Sequence, residues 1–132
     1  MTQTSPKVLF VGSDADDGHV AEILTRFAAV TRVPRIQDAL SAAKENPYDA
    51  VFCPWEFAGG TWREVLQKAQ KLGPPIPVIV LSRWAGEKQW VEVLQAGAFD
   101  LLVPPYTHYQ ILAVLEHALA SRSREADCLL SA

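Results

Sequence analysis

The sequence predicts a three-layer α/β domain built on a parallel β-sheet. Short, continuous apolar runs such as KVLFV and VIVL are typical of strands that are covered on both faces. Segments between these runs place apolar residues at i, i+3, i+4 and i+7, which indicates amphipathic helices. Strands that alternate with helices require parallel pairing, right-handed crossovers and helices on both faces of the sheet.

The elements of the first half follow from the apolar runs and from the residues that end them. Asp14 or Asp16 caps the first helix, because a short acidic side chain accepts hydrogen bonds from the free N–H groups there and suits the helix dipole. The predicted elements are a strand at 7–11, a helix from this cap to about 29, a strand at 30–33 and a helix at 36–44.

The second half carries two further terminal signals. Gly97 is suited to a left-handed residue that ends the fourth helix, and Thr107 is suited to cap the fifth. The predicted elements are a strand at 50–53, a helix at 61–72, a strand at 78–81, a helix at 86–95, a strand at 101–103 and a helix at 107–121. We expect residues 1–121 to form one domain and residues 122–132 to be a tail or linker without clear order.

Composition excludes several classes of function. A net charge of −3 without a basic cluster argues against nucleic acid as the partner of this domain. No apolar run approaches the roughly 20 residues of a membrane span, and the opening MTQTSPK lacks the pattern of a signal peptide. Cys53 and Cys128 do not suggest a disulfide framework, so we expect reduced thiols and a cytoplasmic location, with no membrane partner.

The central strand, 50–53, delivers Pro54 to its carboxyl end. In an open parallel sheet, ligands and reacting groups collect at that edge. Proline has no acid, no nucleophile and no metal ligand in its side chain, and it lacks a backbone N–H. The sequence therefore predicts a site position without reactive chemistry, and we expect no enzymatic activity.

Several segments resemble the receiver domains of two-component response regulators. These are the opening KVLFVGSD, then PYDAVFCPWEFAGGTW, IPVIVLSRW and LQAGAFDLLVPPY, and the similarity extends from about Lys7 to Leu119. The resemblance implies a flavodoxin-like, CheY-like (βα)5 sandwich whose five parallel strands lie in the order 2-1-3-4-5.

The resemblance also implies a phosphorylation site whose reacting groups are missing. Active members hold Mg²⁺ with an acidic pair after the first strand, accept phosphate on an aspartate after the third, and use a hydroxyl and a lysine after the fourth and fifth. The corresponding positions here are Gly12, Ser13, Pro54, Ser82 and Pro104, of which Ser82 alone keeps the expected group. The chain is therefore similar to a degenerate pseudo-receiver that lacks the phosphoacceptor Asp and needs no cofactor.

The alternative to an empty site is a metal ion held by two nearby carboxylates. Asp14 and Glu56 are close in sequence to the emptied positions, and one or two carboxylates with water can hold Mg²⁺. The helix-capping role already explains Asp14, however, and we expect no metal.

Three tryptophans follow or lie near the emptied positions. Trp55 and Trp84 follow the ends of the strands at 50–53 and 78–81, and Trp62 lies in the first turn of the third helix. Because an unused polar pocket must be filled or hydrated, we expect these side chains to act as packing.

Trp90 is the candidate for partner contact. We expect Val91 and Leu94 to face the core, which leaves Trp90 rotated by about 100° from Val91. The resemblance places it on the face formed by the fourth helix, fifth strand and fifth helix, which receiver domains use for partners and dimers. The predicted interaction surface comprises Trp90, Leu101, Val103 and Tyr106. The alternative is a half-buried core tryptophan.

Three functions remain open at this stage. The leading hypothesis is a phosphorylation-independent module that binds a protein partner or forms a homodimer through that face. The second is a small-ligand sensor that uses the crevice bounded by Gly12, Ser13, Pro54, Ser82 and Pro104. A cytoplasmic enzyme ranks last, because no phosphate-binding loop, triad or metal motif supports it.

Overall fold

The apolar runs form one parallel sheet in the computed structural model, which describes residues 6–12, 18–45, 48–57, 60–71, 76–82, 86–104 and 106–131. For residues 18, 40, 42–45 and 122–131 it describes the backbone alone. The strands of the sheet are β1 (Lys7–Val11), β2 (Ala29–Val33), β3 (Ala50–Pro54), β4 (Val78–Leu81) and β5 (Asp100–Leu102). They lie in the order β2-β1-β3-β4-β5, which confirms the predicted order 2-1-3-4-5.

Helices follow the strands as the periodicity predicts, and both terminal signals of the second half are confirmed. The helices are α1 (Gly18–Leu24), α2 (Ile36–Glu45), α3 (Trp62–Lys71), α4 (Glu87–Ala96) and α5 (His108–Ser131). Gly97 ends α4 in the left-handed region, with φ 107°. The Oγ1 atom of Thr107 caps α5 by accepting a hydrogen bond of 3.1 Å from the Gln110 N–H group.

The first helix is shorter than predicted. It ends at Leu24, and the N–H groups of Arg26 and Phe27 bond back only three residues, as in a tightened last turn. The expected end near Ala29 is wrong because Ala29 already pairs with Lys7 in the sheet. The chain must therefore leave the helix early enough to enter β2. The proposed caps Asp14 and Asp16 lie outside the described residues.

The last helix is longer than predicted. Its backbone continues to Ser131, whereas the sequence indicated no clear order after Ser121. Residues 122–131 contain neither proline nor glycine, so no strong helix breaker interrupts the backbone there.

The core has two halves, one on each face of the sheet, because successive strand residues point to opposite faces. The half under α1 and α5 receives Val8, Phe10, Ala50, Phe52, Ile79 and Leu81 from the strands. The half under α2, α3 and α4 receives Leu9, Val11, Val51, Cys53, Val78 and Val80. All twelve side chains are at most 3% exposed, so β1, β3 and β4 are covered on both faces.

The orientation of α4 differs from the prediction. Val93 is fully buried, whereas Val91, expected in the core, is 38% exposed and Leu94 is half-buried. Residues two apart on a helix lie about 200° apart, so Val91 and Val93 cannot share the buried side. Packing against Ala98 and Leu101 in the core selects Val93.

Within the described ranges, no helix combines the length and apolar character that a membrane crossing needs.

We predict that Gly97→Ala destabilises the domain. Alanine at this position would have to keep a positive φ, and its Cβ would lie 2.7 Å from the Nε2 atom of Gln70. Strain of this kind lowers the free energy of unfolding by about 1–2 kcal/mol, which urea denaturation measures. The control is Gly86→Ala at the N-cap of α4, where φ is −141° and the atoms nearest to the new Cβ belong to the flexible end of the Gln89 side chain, which can move aside. The control should lose less than about 1 kcal/mol; an equal or larger loss would contradict the prediction.

Candidate functional site

Three of the predicted site residues meet at the carboxyl edge of the sheet. Gly12, Pro54 and Ser82 end or directly follow β1, β3 and β4, which are neighbours in the sheet, and all three are buried. Pro104 follows β5 and is exposed, and Ser13 lies outside the described residues. The described part of the site therefore consists of a glycine, a buried proline and a buried serine, with an exposed proline at its margin.

Local backbone geometry holds Gly12 and Ser82 in place. Gly12 has φ 130°, a conformation that favours glycine, and its N–H donates to the Val33 carbonyl at 2.8 Å. Ser82 is 1% exposed, and its N–H donates to the Leu102 carbonyl at 2.9 Å. Each residue is thus tied to a neighbouring strand, which places its backbone firmly at the sheet edge.

Pro54 occupies a central strand without breaking its ladder. The N–H groups of Val51 and Trp55 donate to carbonyls on the β4 side, at 2.9 and 2.8 Å. Position 54 therefore faces β1, and the pairing between β1 and β3 ends at Phe10 and Phe52. Pro54 therefore lies beyond the ladder described between β1 and β3, where the missing N–H of proline is tolerated.

The charge at this edge is low in the part of the chain that is described. No three His, Cys, Asp or Glu side chains gather there, or elsewhere among these residues, in a way that could hold a metal ion. Of the two carboxylates in the metal alternative, Glu56 is exposed and Asp14 lies outside the described residues. The described site residues at this edge are therefore apolar, apart from the hydroxyl group of Ser82.

Cys53 is buried next to the site, and its thiol is unreactive. Its side chain has no exposed surface and packs in the core under α2, α3 and α4. Burial raises the pKa of the Cys53 thiol, because the thiolate would lose its solvation. A thiol in this environment remains protonated and is a poor nucleophile.

A small hairpin follows β3, in the segment between the predicted strand at 50–53 and the predicted helix at 61–72. Residues Glu56–Phe57 pair with Gly60–Thr61 in an antiparallel ladder. The Trp62 N–H closes it by donating to the Trp55 carbonyl at 3.2 Å. The glycine pair at 59–60 was the available signal, since adjacent glycines between short apolar segments favour hairpin turns.

Aromatic side chains fasten this hairpin to the core. The rings of Trp55 and Trp62 lie 5.2 Å apart, tilted by 48°, and Trp62 is 1% exposed. The predicted packing role is confirmed for both residues, whereas Trp84 lies outside the described part of the chain. The Arg63 Cζ atom lies 4.7 Å from the centre of the Trp62 ring, and the Arg63 guanidinium forms an ion pair with Glu92 on α4. We call Trp55, Trp62, Arg63 and Glu92 the aromatic clamp.

The predicted interaction surface is only partly exposed. Trp90 is 48% exposed, as expected, while Val103 and Tyr106 are half-buried. Leu101 is 8% exposed and belongs to the core with Val93, so its expected place on the surface is wrong. In β5 the side chain of residue 101 points inward, and it is therefore unavailable to a partner.

Tyr106 connects the loop before α5 to the sheet edge. Its hydroxyl donates to the Ser82 carbonyl at 3.3 Å. This contact joins one residue of the predicted interaction surface to one residue of the predicted site.

An open groove between α3 and α4 was not predicted from the sequence. It encloses about 560 Å³, and its lining includes Val91, Ala96, Arg63, Lys88 and Glu92. The sequence analysis placed Val91 in the core, whereas its exposed side chain lines this groove.

Fold and site together define a receiver-type α/β domain, and the family comparison agrees. Residues 5–116 match the family model described as the response regulator receiver domain. The chain belongs to this family, whose members are the receiver domains of two-component response regulators.

Curated relatives are longer regulators. The chain is 29% identical over 122 residues to the transcriptional regulatory protein ZraR of Escherichia coli K12, covering 91% of this chain and 28% of ZraR. It is 31% identical over 126 residues to the transcriptional regulatory protein PrrA of Mycobacterium tuberculosis, covering 93% of this chain and 54% of PrrA. The chain thus spans less than two thirds of the length of these relatives.

Solved receiver domains share the fold. The receiver domain of Francisella response regulator 1452 superposes with a TM-score of 0.74 at 24% identity, covering 89% of this chain and 98% of its own. The signal receiver domain of an HD domain-containing protein from Pseudomonas fluorescens Pf-5 has a TM-score of 0.81 at 16% identity, covering 96% of both chains. The beryllofluoride-activated NtrC4 receiver domain, solved as a dimer, has a TM-score of 0.76 at 18% identity, covering 87% of this chain and 97% of its own.

We predict that Cys53 is protected from thiol reagents in the folded domain. A Cys128→Ser variant leaves Cys53 as the one thiol of the chain. Because the Cys53 side chain is buried and its pKa is raised, labelling by Ellman's reagent should proceed only as fast as the domain unfolds. The same variant in denaturant should label at once. Rapid stoichiometric labelling of the folded variant would contradict this account.

Proposed function

We propose that this chain is a pseudo-receiver that works in the cytoplasm without phosphorylation, by binding a protein partner or a second copy of itself. The observation that carries the proposal is the end of β3, where a buried proline, Pro54, occupies the position that the family resemblance assigns to the phosphoacceptor. The proposal also treats the chain as a binding module without enzymatic activity or a cofactor.

The chemistry of phosphoryl transfer supports this proposal. A carboxylate must act as the nucleophile, while a metal and a cation neutralise the charge of the transferring phosphoryl group. Gly12, Pro54 and Pro104 offer none of these groups. Losing one group would be ambiguous, whereas losing the nucleophile and its electrostatic partners together removes both the reaction and the means to stabilise it.

The exposed Trp90 supports the binding role. A tryptophan that is 48% exposed leaves a large apolar area in water, and tryptophan is enriched among residues that dominate binding energy. Because Leu101 is buried, we assign the interaction surface to Trp90 together with the half-buried Val103 and Tyr106. The net charge of −3 and the absence of a basic cluster from the sequence support a protein partner over nucleic acid.

We assign the receiver domain to residues 1–121 and a linker role to residues 122–132. Support comes from the family match, which ends at residue 116, close to this boundary. The longer relatives are consistent with a segment that connects a receiver to further sequence.

We predict that Mg²⁺ with beryllofluoride produces no specific, saturable change in amide chemical shifts at the sheet edge. The reason is that Pro54 supplies no carboxylate to which the phosphoryl mimic could bind. An Asp14→Asn/Glu56→Gln variant serves as the control, because it removes both carboxylates of the metal alternative. Saturable shifts near Gly12 and Ser82 in wild type that vanish in this variant would refute the proposal.

We predict that Trp90→Ala weakens self-association or partner binding at least about tenfold, the scale of a buried aromatic anchor. Sedimentation equilibrium of the wild type and the variant measures the effect on self-association, and pull-down from lysate followed by titration measures partner binding. Val91→Ala is the matched control, since Val91 is also exposed on α4 but lines the groove toward α3. Loss of binding in Val91→Ala, with Trp90→Ala unaffected, would place the interface in that groove instead.

A further inference from the structure

We propose that Trp55 and the paired residues Glu56–Phe57 and Gly60–Thr61 form a strap that, through the aromatic clamp, couples the end of β3 to α4. The inference rests on the proposed function, because a domain that acts without phosphorylation needs its α4 surface to be placed by contacts within the fold. It adds a regulatory route from β3 to α4 that runs over α3.

The strap is seated by backbone as well as by side chains. Gly60 has φ 151°, and a Cβ at this position would collide with the Ile36 side chain of α2. The half-buried Phe57 packs against the core under α2, α3 and α4. The hairpin therefore lies against α2, with no room for a larger residue at its closest approach.

Trp62 links the strap to the first turn of α3. Its N–H closes the hairpin on the Trp55 carbonyl, and its buried ring packs against the Trp55 ring. Aromatic pairs at this separation hold a defined geometry. A displacement of the strap therefore moves the ring on which Arg63 rests.

Two contacts then join α3 to α4 at different heights. Arg63 stacks over Trp62 and pairs with Glu92, while the Gln70 Nε2 atom donates to the Ala96 carbonyl at 3.4 Å. Glu92 lies two residues after Trp90 in α4. Because Arg63 contacts both Trp62 and Glu92, it connects the strap to the helix that carries the exposed tryptophan.

Coupling of this kind acts in both directions. A partner that docks on Trp90 and shifts α4 must alter the Arg63–Glu92 pair and, through Trp62, the strap. Conversely, loosening the strap must loosen α4.

Hydrogen–deuterium exchange of the whole chain tests this coupling. Trp55→Leu should speed exchange in the strap and also in α4, and Arg63→Gln should speed exchange in α4 and, because the coupling is reciprocal, in the strap as well. Loss of one exposed ion pair corresponds to a change of about two- to fivefold. Lys68→Gln removes an exposed charge from α3 and should leave the exchange rates of the strap and of α4 unchanged.

Three results would overturn the strap. The first is faster exchange in Trp55→Leu that is confined to the strap. The second is an unchanged exchange rate of α4 in Arg63→Gln. The third is an increase in exchange that is equal in every segment, including β1. Wild type with Mg²⁺ and beryllofluoride is measured in parallel. A specific change at the sheet edge there refutes the phosphorylation-independent function, while the variants report on the strap alone.

Discussion

Burial of the central strands on both faces is the constraint on which the rest of the domain depends. Phe10, Phe52 and Ile79 have no exposed surface, and full burial of such a side chain contributes about 1.5–3 kcal/mol. An exposed ion pair such as Arg63–Glu92 contributes about 0.2–1 kcal/mol. The apolar packing therefore sets the strand register, and the polar contacts on the outside adjust elements that are already in place.

That register also explains how the site position tolerates its proline. Trp55 donates to the β4 side, so Pro54 faces β1 at a level where the two strands no longer pair. The backbone thus presents a buried pyrrolidine ring at this edge of the sheet. The sheet therefore keeps its pairing between β3 and β4 with a proline at this position.

Sequence patterns predicted the parts of the fold that depend on local or strictly periodic signals. Val78–Leu81 is a strand at the predicted bounds because a continuous apolar run can be buried only between two layers. Gly97 and Thr107 act as predicted because helix ends are governed by the residue at the cap. The site residues Gly12, Pro54 and Ser82 could be assigned to one edge because the carboxyl ends of parallel strands meet there.

Other features required the folded molecule. The rotation of α4 was decided by packing, since Val91 and Val93 were equally apolar candidates for the core and only one of them could face Leu101. The link from Trp62 through Arg63 to Glu92 joins residues whose sequence spacing carries no signal. The sequence by itself thus determined the layered architecture and the residue types at positions 12, 54 and 104, because both depend on residue type and period. Only the tertiary structure decided which side chains of α4 and β5 reach the surface, because that choice depends on how whole elements pack against one another.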